Sequence, residues 1–110
     1  MRWIKVWVKE TLYGTTFQEL NPAERGIWFS LLLLAASKTN NGVVEAREGV
    51  PYPLEILAFE LNTDTDTLKQ SLARLQSVGK IERLPNGTIS IVNWARYQTT
   101  YTRRKEGGNA

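Results

Sequence analysis

The sequence predicts an α+β fold, mainly α: a winged helix-turn-helix with an extended N-terminal arm and a C-terminal β-hairpin wing. Three observations predict it. A long apolar helix comes early in the chain, two shorter helices follow around the polar turn Asn62-Thr63-Asp64-Thr65, and an Asn86-Gly87 pair between two apolar runs comes directly after the second of these. A helix pair followed at once by a hairpin is the order of the winged motif. The 110 residues, 42% hydrophobic and 23% charged, suit one core that buries roughly 65% of the unfolded surface. Residues 1–98 are assigned to this domain, with the arm at 3–9, and 99–110 to a flexible basic tail.

Each element has a local reason. Ile4, Val6 and Val8 alternate with Trp3, Lys5, Trp7 and Lys9, the two-residue period of a strand or extended arm, and both faces carry apolar surface. Leu12 to Thr16 reads as a loop. Asn21 is an N-cap, Pro22 occupies the first helical position and Glu24 the first turn, so a helix starts at about Pro22. Ile27, Trp28, Leu31, Leu34 and Ala35 lie on one face, while Phe29, Leu32, Leu33 and Ala36 fill the other. A helix apolar nearly all round is buried nearly all round, and this one is expected at the centre. Asn40-Asn41-Gly42 ends it.

Val43 to Ala46 is a short strand candidate, expected to join the hairpin as a third strand. Pro51-Tyr52-Pro53 forces an extended entry into a helix from Pro53 to about Leu61, with Leu54, Leu57, Ala58 and Leu61 on one face. A third helix runs to about Val78, where Gly79 stops it. Its buried stripe is Leu68, Leu72 and Leu75, with Asp66, Thr67, Gln70, Ala73, Arg74 and Ser77 facing away. Ile81 to Leu84 and Thr88 to Val92 form the hairpin, with positive φ expected at both Asn86 and Gly87. Trp94 and Tyr97 can still pack beyond it.

Cysteine and histidine are both absent, which removes thiolate nucleophiles, imidazole bases and the usual zinc ligands. The acids are scattered, without a divalent-metal cluster, and no glycine-rich phosphate loop occurs. The expectation is no enzyme, no cofactor and no metal. The longest apolar stretch, Ile27 to Ala36, falls short of the about 20 residues a membrane span needs. No secretory leader is evident either, so no membrane partner is expected.

The net charge of +3 is unevenly spread. Residues 10–66 hold nine acids against three bases, whereas 67–105 hold eight bases against one acid. A cationic half attracts polyanions; solvated lysines and arginines are the plainer alternative. If the second helix of the pair enters a major groove, Thr67, Gln70 and Arg74 are the base-edge candidates, with Lys69 on the flank. Gln suits adenine and Arg suits guanine. Asp64 and Asp66 at the start of that helix would repel phosphate, unless they serve only as caps. Lys80 and Arg83 on the wing, with Arg96, Arg103, Arg104 and Lys105 behind it, are the candidate phosphate contacts. Tyr97 and Tyr101 interleave with them and could stack on bases, the alternative for Tyr97 being core packing. Trp3, Val6 and Trp7 of the arm and Trp28 of the long helix are the self-association candidates. They favour a homodimer or higher homo-oligomer over a monomer whose arm folds over its own helix.

The chain also resembles the N-terminal winged-helix domain of phage replisome organisers and related prophage replication proteins, akin to bacterial primosomal proteins of the DnaD type. Leu12-Tyr13-Gly14, Glu24-Arg25-Gly26-Ile27-Trp28, Leu31-Leu32, Asn41-Gly42-Val43, Pro51-Tyr52, Leu57-Ala58, Leu72 and Leu75, and Gly79-Lys80-Ile81-Glu82 carry the resemblance. Asn93-Trp94-Ala95-Arg96-Tyr97-Gln98 is its most characteristic piece. The resemblance implies a part in starting phage DNA replication in the cytoplasm of a bacterial host. Recruitment of a replicative helicase or its loader would fall to a further C-terminal region of a full-length member. The combined expectation is a non-enzymatic, DNA-binding and self-associating replication domain. A docking or oligomerisation module without direct DNA contact, and a phage transcriptional regulator, are the alternatives.

Overall fold

The computed structural model describes residues 3–38 and 41–98. Five helices, α1 (Val8–Leu12), α2 (Thr15–Gln18), α3 (Pro22–Lys38), α4 (Leu54–Glu60) and α5 (Thr65–Ser77), accompany four strands, β1 (Val43–Arg47), β2 (Val50–Pro51), β3 (Ile81–Arg83) and β4 (Ile89–Ile91). A helical turn over 94–98 closes the described chain. The strands form one antiparallel sheet in the order β2-β1-β4-β3. The molecule is therefore α+β and mainly helical, with a small antiparallel sheet.

Capping chemistry sets the helix ends. Asn21 Oδ1 accepts from Glu24 N–H at 2.9 Å and Glu24 Oε1 accepts from Asn21 N–H at 2.8 Å, a reciprocal box that satisfies two orphan donors at the start of α3. At the end of α5 the Lys80 and Gly79 N–H groups bond back to Leu75 and Gln76 carbonyls, and Gly79 adopts φ +80. This is a glycine-terminated Schellman ending. Asn62, at φ +55, ends α4 in the same way, with Thr63 and Asn62 bonding back to Ala58 and Phe59.

The core lies where α3 crosses α5 and backs onto β1. Leu31, Ala35, Leu57, Leu68, Leu75, Val44 and Ile81 are its most enclosed members, with Trp94 beside them. As expected, α3 is central and buried on most of its circumference, although Leu33 is exposed. The stripe of α5 is Leu68, Leu72 and Leu75, joined by Ser71.

Four expectations need correction. The segment 3–9 is not one strand: 3–7 belongs to no helix or strand, with Trp7 extended, and Val8 already opens α1. Leu12 to Thr16 is not a plain loop, because it holds the end of α1 and the start of α2. Gly14 sits between them, where a Cβ would strike the Glu10 carbonyl. In the hairpin only Gly87 has positive φ. The Leu84 carbonyl accepts from Gly87 N–H at 2.8 Å and the Leu84 N–H donates to the Thr88 carbonyl at 2.9 Å. Pro85 presets the first corner, so the loop is a three-residue turn with one left-handed glycine. Finally, β1 acquires a second partner, β2, through a turn at Glu48-Gly49.

Candidate nucleic-acid interface

The outward face of α5 presents its residues unequally. Thr67 is occupied by the cap: its N–H donates to Asp64 Oδ2 at 2.8 Å and its hydroxyl to Asp64 Oδ1 at 2.7 Å. Those two bonds hold the Asp64 carboxyl below the ordinary value of 3.8. Lys69 and Gln70, in the next turn, are exposed, and their side chains make no hydrogen bond with a described residue. Arg74, near the C-terminal end, donates from Nη2 to the Glu19 carbonyl at 3.1 Å, so the end of α2 lies against this part of the helix.

The remaining cations divide between two ends of the sheet. Arg83 donates to the Gly87 carbonyl at 3.1 Å and belongs to the hairpin loop. Lys80 stands at the open end of the same hairpin, where its carbonyl accepts from Val92 N–H at 3.0 Å. Its ammonium lies 4.9 Å from the centre of the Trp28 ring. Burial lowers the Lys80 pKa, and the charge of Glu19 opposes that shift more weakly. Arg96 stacks at 5.5 Å over Tyr97. Arg103, Arg104, Lys105 and Tyr101 lie outside the described residues.

Of the self-association candidates, Trp28 is 9% exposed and belongs to the core. Its ring is covered by the Lys80 side chain, which sequence periodicity could not reveal. Trp7 is half-buried: its Nε1 donates to the Tyr97 carbonyl at 3.2 Å, and the two rings meet edge to face at 5.0 Å. Trp3 and Val6 remain exposed, at 65% and 46%. The arm is anchored by Gln98, whose side chain accepts from Lys5 N–H at 2.8 Å and donates to the Lys5 carbonyl at 3.0 Å. One side chain thus does what a neighbouring strand would do.

Between the arm, α3 and the turn at 94–98 lies a half-open cleft of about 470 Å³. Trp7, Trp28, Phe29, Trp94, Tyr97, Asn93, Lys5 and Lys80 are among its walls. Sequence reading missed this constellation, because these residues come from four separated segments. The one available signal was that Asn93, Trp94, Tyr97 and Gln98 fall in a single distinctive stretch. Among the described residues no group of acidic side chains is arranged to hold a metal ion, and no helix is long and apolar enough to cross a membrane.

The model of the N-terminal phage replisome organiser family matches residues 23–108. The chain belongs to that family. Its members are generally non-enzymatic, and their place is phage replication. No curated protein and no solved structure shows a significant match to this replisome organiser domain.

Proposed function

We propose that this replisome organiser domain is a winged helix-turn-helix that binds duplex DNA with modest selectivity and self-associates. It would act without catalysis at the start of phage replication in the cytoplasm of a bacterial host. The observation that carries the reading is the α4–turn–α5 pair followed directly by the β3–β4 hairpin, with Lys69 and Gln70 unengaged on the outward face of α5. In such docking the second helix enters the major groove and the hairpin loop, here with Arg83, meets the backbone. Lys69 and Arg83 then contact phosphate and Gln70 a base edge. Self-association would use the exposed arm, where Trp3, Val6 and Val8 offer apolar surface.

A salt titration on duplex DNA tests the first part. Affinity should fall with log salt at a slope of about −0.9 per phosphate engaged, and Lys69→Ala should reduce that slope by about one contact. Absence of binding at low salt refutes it. Light scattering tests the second part: a mass above one chain that falls for Trp3→Ala/Val6→Ala is expected, and a monomer at all concentrations refutes it.

One observation favours a second reading, a docking module whose full-length protein contacts DNA elsewhere. Phe59 on α4 is 83% exposed beside exposed Ile56, and Asp64 and Asp66 place negative charge at the leading end of α5. Failure of the duplex titration with a normally folded domain would leave this reading standing. A regulator would instead return a defined motif from selection on random duplexes.

A further inference from the structure

We propose that the cleft beneath the arm is a binding site for single-stranded DNA, seating a nucleotide with its phosphate on the Lys80 ammonium and its base against Trp7, Phe29 and Tyr97. This rests on the DNA-binding reading above and adds a second, separate site to it.

Size and lining agree with such a ligand. The cleft measures about 470 Å³, within the range of about 300–1,000 Å³ typical of small-ligand pockets. Trp7, Phe29 and Tyr97 line the cleft and are each only partly buried. Flat rings beside a cation are the means by which proteins hold unpaired bases, since any base offers a π-face. A base inside a duplex has both faces covered and cannot present one to these rings.

The cation is the second argument. An ammonium has three donors, and burial without partners is costly. The Lys80 main chain is bonded to Leu75 and Val92, but its ammonium makes no hydrogen bond or salt bridge with a described residue and has the Trp28 ring 4.9 Å beneath it. A phosphate oxygen would satisfy it. Among the described residues Glu10 is the one carboxylate on the cleft walls and Lys5 and Lys80 are the cations. Lys5 Nζ already donates to the Gln98 carbonyl at 2.9 Å, and Glu19 acts on Lys80 from outside the walls, so Lys80 is the ammonium that faces the ligand's charge.

The third argument is the stretch 93–98. Trp94 and Gln98 are buried and serve as frame: Trp94 packs where a Cβ on Gly42 would collide with it, and Gln98 holds the arm. The Asn93 carbonyl accepts from Tyr97 N–H at 3.2 Å, but its side chain has no such duty. The residue is exposed, lines the cleft and holds φ +64, which leaves an amide at the rim able to donate to and accept from a base edge.

The test uses the full 110-residue chain and its intrinsic tryptophan fluorescence. It is titrated with oligothymidylate of about eight nucleotides, in the range of single-strand site sizes, and in parallel with a duplex, thymidine monophosphate and inorganic phosphate. The oligonucleotide should quench the fluorescence. Lys80→Met, which keeps the aliphatic stem on Trp28, should weaken its binding by about tenfold, the loss of one charge-assisted contact, and Lys80→Arg should restore it. Duplex affinity should be unchanged in both. Asn93→Gly, which suits the positive φ, provides a second variant and should also weaken the oligonucleotide alone.

Duplex binding without oligonucleotide binding overturns this site and leaves the groove reading intact. Absence of both overturns both. Equal affinity for the oligonucleotide in Lys80→Met overturns the site, and so does phosphate or the mononucleotide binding as tightly as the strand, which would reduce it to an anion site.

Discussion

Replacing Gln98 by leucine should release the arm while leaving the core folded. The side chain is 9% exposed and makes two bonds to the Lys5 backbone, at 2.8 and 3.0 Å. At a net worth of about 1 kcal/mol each, their loss removes about 2 kcal/mol from the hold on the arm. Such a change alters a local opening equilibrium by about thirtyfold. Leucine fills similar space but satisfies neither group of Lys5. The bond from Lys5 Nζ to the Gln98 carbonyl and the Trp7–Tyr97 contact remain, so the arm loosens rather than leaves. Amide hydrogen exchange at Lys5, read beside urea denaturation, separates local from global effects. Exchange at Lys5 should quicken by about thirtyfold with the urea midpoint little moved. Unchanged exchange would show that Gln98 does not hold the arm. A global loss as large as the local one would show that the arm is part of the core's cooperative unit.

Gly42→Ala should cost about 2–5 kcal/mol, the sum of about 1–2 for a left-handed alanine and about 1–3 for overpacking, because Gly42 sits at φ +73 against Trp94. Gly79→Ala, at φ +80 with open space around it, should cost only the first part, and equal urea midpoints for the two would refute the Trp94 contact. Thr88→Val should stabilise by about 1 kcal/mol, since Thr88 Oγ1 is buried without a hydrogen-bond partner among the described residues; a lower melting temperature would contradict this. Asp64 has a folded pKa below its ordinary 3.8, so its contribution is present above that pH and is lost as pH falls through the folded value. Asp64→Ala should lower thermal stability at neutral pH and flatten the acid limb of the stability profile; an unchanged acid limb would count against the cap.

What could be read along the chain was chiefly local. The reciprocal Asn21–Glu24 cap, the Asp64 cap and the Gly79 stop all follow from side chains within a few positions of the backbone they satisfy. The strand β2 was invisible because two residues, one of them Pro51, carry no periodicity; it exists through the Gly49 turn and the length of β1. Helix α1 was hidden for the opposite reason. The alternation of Trp3 to Lys9 is a true extended pattern, but it stops at Trp7, and the five residues of α1 bury no side chain that would mark a helical face. The arm's partner is a glutamine 93 positions away in sequence, a pairing that no window of residues contains.

The site was less legible than the fold, because charge counted along a chain determines the sign of a field and not where each cation ends up. The excess of bases after residue 67 is real, yet the fold turns Arg74 toward Glu19, lays Lys80 on Trp28 and folds Arg83 onto its own loop. What separates them is element length. From Gln70 to the end of α5 is eight residues, about 12 Å of helix, and the hairpin adds a further span between its open end and its tip. On the proposed reading, cations near the start of α5 and on the loop serve one surface, and Lys80 serves another. If both proposals hold, two basic surfaces on one small domain would take two different polyanions, or two parts of one, and the aromatic lining of the second would select the part whose bases are unpaired.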